Sequence, residues 1–262
     1  MILCLDIGNT HICGGIFKNA KLLLRFRHAT YSSITSDQLG IFLKNTIREN
    51  NFDCEQITAI SFCSVVPSID YSLRAACKKY FQLDPFILQV GVKTEIKIKT
   101  QNPAENGADI IAGIIAATHL YPQKNLIILD LGTVTTIAAA SKSKEFLGVA
   151  FIPGMYTTMN ALQTSAANLF PVEIIQPRKA VGRSTIESIQ AGLFFGQLGA
   201  IKEIITRITA EVFPHESPIL IATGGFAHLF ENEKVFDHIE PDLVLQGIWL
   251  AYNLNNAALG KK

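Results

Sequence analysis

The 262-residue sequence predicts a mixed α/β protein built from two similar halves. Strand-like and helix-like segments alternate from end to end, the pattern of strands joined by helical connections. An apolar strand running into Asp-x-Gly opens the chain, and the same pattern returns near its middle. With 48% apolar and only 17% charged residues, the chain has material for sizeable cores and is neither a disordered protein nor a coiled coil.

Met1–Leu5 reads as a short buried strand ending in Asp6-Ile-Gly-Asn-Thr10, and Ile12–Phe17 and Lys21–Arg27 as the next two strands across tight turns. Ser36–Asn50 fits a helix with Ser36 as its N-cap and Leu39, Phe42, Leu43 and Ile47 on one face. Thr58–Val65 reads as a buried strand, and Ser68–Phe81 as a helix turning Leu73, Cys77 and Tyr80 inward. Gly107–Tyr121 is apolar at helical spacing. Leu126–Leu129 then enters Asp130-Leu-Gly-Thr, so that residues 5–10 overlie residues 129–134 at a constant offset of 124. That offset is close to half the chain and implies an internal duplication, divided here as 1–118 and 119–262. Ser184-x-x-Glu187 is a capping box opening a long helix to about Ile208, in which Gly192, Gly196 and Gly199 leave a smooth face for helix contact. Ile219–Ala222 is a strand entering Thr223-Gly224-Gly225, and a helix over Leu243–Ala258 closes the chain.

The charge balance, 23 basic against 22 acidic side chains, supplies no basic stripe and argues against nucleic acid as a partner. The longest apolar run, Ile110–Ala117, is far short of the ~20 residues that span a bilayer, so no membrane partner is expected. The N-terminus has no basic segment of a signal peptide, and the five cysteines lack a Cys-x-x-Cys spacing. Both features predict buried thiols in a reducing compartment, hence a cytoplasmic protein.

Phosphate-loop, dinucleotide, nucleophile-elbow and His-Glu-x-x-His motifs are absent from the sequence, and the six histidines are scattered. The two strand–Asp-x-Gly turns remain. An aspartate at a strand end can hold a hydrated cation, and the glycine lets successive N–H groups and hydroxyls surround phosphate oxygens. Either turn alone is equally readable as a hairpin with Asp as turn former. Both together, with Thr223-Gly224-Gly225 after a third strand, point to nucleotide binding, the glycine pair admitting the flat face of an adenine. Asp109, at the start of the Gly107–Tyr121 helix, is readable as a dipole-stabilising residue or as a carboxylate that takes a proton during phosphoryl transfer.

In this order, Asp6-Ile-Gly-Asn-Thr10, Gly107-Ala-Asp109, Asp130-Leu-Gly-Thr-Val-Thr-Thr136, Pro153-Gly154, Gly182-x-x-Thr185 and Thr223-Gly224-Gly225, the sequence resembles the type III pantothenate kinases over essentially its whole length. The resemblance implies two ribonuclease-H-like domains of the acetate/sugar kinase–Hsp70–actin superfamily around a nucleotide cleft. It also implies a homodimer and ATP-dependent phosphorylation of pantothenate, with Mg2+ and a monovalent cation, K+ or NH4+. By position, Asp6, Ile7, Gly8, Asn9, Thr10, His11, Ile12 and Cys13 would form the first phosphate loop, with Asp6 also toward metal. Thr133 would touch the nucleotide, Asp130 would hold the monovalent cation, and Asp109 would be the general base. Gly107, Ala108, Asp109, Ile110 and Thr185 would line the pantothenate pocket.

The sequence departs from the family pattern on the substrate side. Ile110 stands where an arginine usually follows Gly-Ala-Asp, and Thr100 where a tyrosine usually precedes Asn-Pro. Leu147-Gly148-Val149 replaces Leu-Gly-Gly, and Ala166-Ala167-Asn168-Leu169-Phe170 replaces Thr-Ala-Lys-Leu-Pro. These changes leave two other readings open, a catalytically silent nucleotide- or metabolite-binding relative and a kinase for another small hydroxylated substrate.

Overall fold

A computed structural model describes residues 1–166 and 169–259, with side chains described to Asn256. Ala167 and Asn168 of the altered run therefore lie outside the described residues. Two compact units emerge, one of residues 1–96, 101–116 and 243–262, the other of residues 97–100 and 117–242.

In the first unit, β1 (Ile2–Ile7), β2 (His11–Lys18) and β3 (Lys21–Ala29) form an antiparallel meander. Helix α1 (Ser36–Glu49) then carries the chain to β4 (Ala59–Ser64), which lies parallel to β1, and α2 (Pro67–Phe81) leads to the short β5 (Phe86–Ile87). The resulting order is β3-β2-β1-β4-β5. Side chains alternate across the sheet. Leu3, Leu5, Ile7, Ile12, Ile16, Ile60 and Phe62 face α1 and α2, whose Leu39, Leu43, Ile47, Ile69, Leu73 and Cys77 complete that core. Tyr80, expected inward, is only partly buried, and its hydroxyl donates to Asp37 Oδ1 of α1 at 2.9 Å. The N-cap of α1 is Thr35 rather than the expected Ser36. The Thr35 hydroxyl accepts from the Gln38 N–H at 3.2 Å, and the Gln38 side chain accepts from the Thr35 N–H at 2.9 Å, a reciprocal box that Ser36 has no partner to make.

The second unit repeats the plan. After α3 (Ala108–Leu120), β7 (Leu126–Leu131), β8 (Val134–Ala140) and β9 (Glu145–Pro153) form a meander, with the two-residue β6 (Lys97–Ile98) added at its edge. Helices α4 (Met155–Ser165) and α5 (Thr185–Val212) lead to β10 (Ile219–Thr223), parallel to β7, and then β11 (His238–Ile239). The sheet reads β11-β10-β7-β8-β9-β6. Without the edge strand β6 and read from β9, the order β9-β8-β7-β10-β11 repeats that of the first sheet, the two similar halves expected from the duplication and the ribonuclease-H-like plan expected from the resemblance. Ile127, Leu129, Leu131, Ile137 and Ala222 face Met155, Met159, Leu193, Phe194 and Ile201 of α4 and α5. Ser184 caps α5 by accepting from the Glu187 N–H, while the Glu187 carboxylate accepts from the Arg183 N–H at 2.7 Å, one residue before the box position.

The last helix, α6 (Leu243–Leu259), belongs to the first unit, so the sequence halves 1–118 and 119–262 are not the compact units. A helix apolar nearly all round needs cover on several sides, and the first sheet has an open face to give it. Trp249 stacks on Phe17 of β2 with centroids 5.9 Å apart, the Ser61 hydroxyl of β4 donates to the Ile248 carbonyl at 3.4 Å, and Gly247 presses against Ala112 of α3.

Candidate active site

The first-unit site grows out of strand register. Asp6 of β1 lies beside Cys13 of β2 and Cys63 of β4, and the two-residue period puts all three side chains on the sheet face opposite the α1/α2 core. Cys63 is fully buried, and its thiol donates to Asp6 Oδ1 at 3.5 Å. Burial, and then the negative charge of Asp6 and of Asp109, push that thiol well above its ordinary range, so it stays protonated and acts as a donor. The sheet end and the first turn of α3 thus bring the two predicted carboxylates, Asp6 and Asp109, around one buried thiol.

The loop after β1 is a supported turn. The Gly8 N–H donates to the His11 carbonyl at 3.0 Å, the Thr30 N–H to the Thr10 carbonyl at 2.9 Å, and the Thr30 hydroxyl to the Gly8 carbonyl at 2.7 Å. Gly8, Asn9 and Thr10 keep partial or full exposure, whereas Ile7 and Ile12 are buried and belong to the core rather than to a ligand surface. Their predicted place in the phosphate loop is therefore that of strand anchors on either side of it. His11 is exposed, and partial burial together with the Arg27 charge holds its imidazole below the usual value, favouring the neutral form.

Gly107, Ala108, Asp109 and Ile110 form the entry to α3, all partly exposed. The Ile110 N–H donates to Asp109 Oδ1 at 2.8 Å. Desolvation outweighs the hydrogen bonds that the carboxylate accepts from the Ile110 and Asp109 N–H groups and raises its pKa above the ordinary carboxylate range. A carboxylate so tuned is a better proton acceptor than a solvated one.

The second unit holds the equivalent strand end. Asp130 of β7 is flanked in register by Thr136 of β8 and Thr223 of β10. Gly224 follows with φ +89°, and a Cβ there would collide with Asp130 Oδ1 and lie 2.6 Å from the Leu131 nitrogen. Glycine at 224 is thus required by the close approach of this turn to the end of β7. The exposed Gly225 beside it is the position that leaves a surface free of side chain. Thr133 is exposed at the tip of the β7–β8 turn, and its carbonyl accepts from the Thr157 hydroxyl at 2.6 Å and the Gly154 N–H at 3.2 Å, tying the turn to the start of α4. Thr185 is exposed in the first turn of α5, in an open pocket of about 730 Å³ lined also by Leu162, Arg183, Ser188 and Ile189. Thr100 lies just beyond β6. Asp6, Asp109 and Ile110 thus belong to one unit, and Thr100, Asp130, Thr133, Thr185, Gly224 and Gly225 to the other.

Sequence reasoning missed Cys63, Thr30 and the buried pair in which the Gln197 side chain of α5 donates to the Thr135 hydroxyl at 2.8 Å. Among the described residues no cluster of three or more His, Cys, Asp or Glu side chains could cage a metal ion. Single carboxylates at strand ends suit a hydrated hard cation that keeps several waters and shares its shell with phosphate oxygens.

The family model described as type III pantothenate kinase matches residues 2–207. A type III pantothenate kinase of Legionella pneumophila is 55% identical over 257 residues, covering 98% of this chain and all of that protein. Among solved structures, a Baf-family protein from Campylobacter jejuni aligns with TM-score 0.60 at 18% identity, covering 97% of this chain and 99% of its own. An activator of 2-hydroxyisocaproyl-CoA dehydratase from Clostridium difficile, bound to ADPNP, aligns with TM-score 0.52 at 11% identity, covering 100% and 97%. The two structural likenesses speak for the fold alone.

Proposed function

Because the chain belongs to the type III pantothenate kinase family, it phosphorylates pantothenate with ATP in the first step of coenzyme A biosynthesis, and we propose that the strand-end carboxylates carry that reaction. The observation that supports this assignment is that the charges of Asp6 and Asp109 both act on the buried Cys63 thiol, which donates to Asp6, with the Asp109 carboxyl raised above its ordinary range. Asp109 takes the proton of the pantothenate hydroxyl as its oxygen bonds to the γ-phosphorus, and ADP leaves with the former bridging oxygen. The Gly8–Thr10 turn offers its exposed groups to phosphate oxygens, and Thr133 and the Gly224–Gly225 turn serve the nucleotide. Asp6 would help hold Mg2+ and Asp130 a K+ or NH4+ ion. These cations, when bound, offset charge on the transferring phosphoryl group. Thr100, Gly107, Ala108, Ile110 and Thr185 would line the pantothenate pocket.

We also propose a homodimer in the cytoplasm. On α5 a Cβ at Gly192, Gly196 or Gly199 would meet nothing within 4 Å, so that face is open within the chain, and none of the five cysteines forms a disulfide. Sedimentation at the mass of one chain would overturn the dimer, and recovery outside the soluble cell fraction the location.

Coupled ADP release with MgATP and K+ is expected to depend on pantothenate; folded protein that binds ATP yet shows no such dependence would refute the assignment of these residues to an active site. In the same assay Ile110→Arg is expected to lower the KM for pantothenate by about tenfold, the scale of one charge-assisted hydrogen bond to a carboxylate. An unchanged KM would show that position 110 does not face that carboxylate.

A further inference from the structure

We propose that Cys63 is a positioning residue for the phosphoryl transfer, its thiol holding the Asp6 carboxylate in the orientation that receives the metal–nucleotide. This inference rests on the assignment of Asp6 made above. Three independent observations carry it. Cys63 is the in-register neighbour of Asp6 across the parallel β1–β4 pair, so its side chain shares the face of Asp6 by strand geometry. Its Sγ lies 3.5 Å from Asp6 Oδ1, within reach of an S–H donor. The duplicated half places Thr223 at the equivalent position beside Asp130, another small side chain carrying a hydrogen-bond donor. The two halves thus carry a thiol and a hydroxyl at one register position.

A carboxylate's terminal torsion is broad, so each donor that reaches it narrows the orientations it can take. Asp6 is partly buried, and the Cys63 thiol is such a donor, reaching Oδ1 from the buried side of the sheet. Cys63 itself has no exposure, so it reaches neither substrate nor solvent and acts only through Asp6. Burial at this site also keeps the thiol out of reach of oxidants and alkylating reagents in the folded protein.

The test compares Cys63→Val, which keeps volume and removes the donor, with Cys63→Ser, which keeps a donor, alongside Asp6→Asn. Cys63→Val is expected to lower kcat about tenfold and raise the Mg2+ concentration for half-maximal rate, with the KM for pantothenate unchanged, and Cys63→Ser to restore most of both. Equal rates and equal Mg2+ dependence in Cys63→Val and wild type, with Asp6→Asn inactive, would overturn the positioning role and leave the Asp6 assignment standing. An active Asp6→Asn would instead remove the assignment on which the proposal rests. Should Cys63→Val fail to fold, the wild-type S–H stretch decides: the infrared band lost in Cys63→Ser is expected to move when Asp6→Asn is introduced. A band indifferent to Asp6→Asn would show that the hydrogen bond does not form, and would overturn the proposal equally.

Discussion

Asp109→Asn is expected to lower kcat by about two to four orders of magnitude, the usual contribution of a positioned general base, while MgATP binding stays within about twofold. The amide keeps the size of the carboxyl and can still place an oxygen opposite the Ile110 N–H, which donates to Asp109 Oδ1 at 2.8 Å. What it loses is the ability to accept the hydroxyl proton. Turnover should fall as pH drops through the raised Asp109 pKa, so the acid limb of kcat/KM belongs above the ordinary carboxylate range. The sign for stability runs the opposite way from that of a paired carboxylate. With the folded pKa raised above the unfolded one, the folded state holds the proton more tightly. The ionised group therefore weakens folding increasingly as pH rises through that window, and costs nothing below it. At neutral pH, Asp109→Asn should be as stable as wild type or more so, a gain in melting temperature joined to a loss of catalysis. Turnover retained in the folded variant would remove Asp109 from the base role. A fall in melting temperature would show that its charge is satisfied by a partner rather than strained by burial.

That pairing of catalytic need with conformational cost was only half visible in the sequence. The two Asp-x-Gly turns align at an offset of 124 and occupy equivalent strand ends in two sheets of like order, because a strand ending in a tight glycine turn is a local signal. Cys63 carried no such signal. It sits in an apolar run where a cysteine is ordinary, and only the β1–β4 register, a contact across 57 positions, sets it beside Asp6. Thr35 and Ser36 are adjacent and both good caps; Gln38, three residues after Thr35, decides between them, and that spacing was available to read. Strand β8 and helix α4 carry weak periodicity, because Val134–Ala140 is mostly Thr and Ala and Met155–Ser165 mixes apolar with hydroxyl side chains. Two-residue strands such as Phe86–Ile87 are too short to have a period at all. The assignment of α6 to the first unit was equally illegible, since a helix apolar on most sides announces burial without naming the sheet it covers.

The close approach of α6 to α3 sets up the second large effect, in Gly247→Ala. In an open helix this change would stabilise by up to about 1 kcal/mol, because alanine is the better helix former. Here a Cβ would run into the carbonyl oxygen and carbon of Ala112 and come within 2.9 Å of its Cα. Those atoms are main chain inside α3, so no side-chain rotation relieves the clash and the two helices must separate. The expected result is a loss of about 1–3 kcal/mol, the usual range for overpacking, measured by urea unfolding. Because Ala112 is one turn beyond Asp109 on the same helix, the displacement should also reach the base, lowering kcat in protein that remains folded. Gly113→Ala supplies the contrast. A Cβ at Gly113 would lie 3.9 Å from Leu243 Cδ2, an ordinary van der Waals contact, so the helix preference of alanine should prevail and stability should hold or rise. Equal losses in both variants would mean that the helices resist any added methyl. Equal tolerance would mean that α6 does not rest on α3 as closely as the Gly247 contact requires.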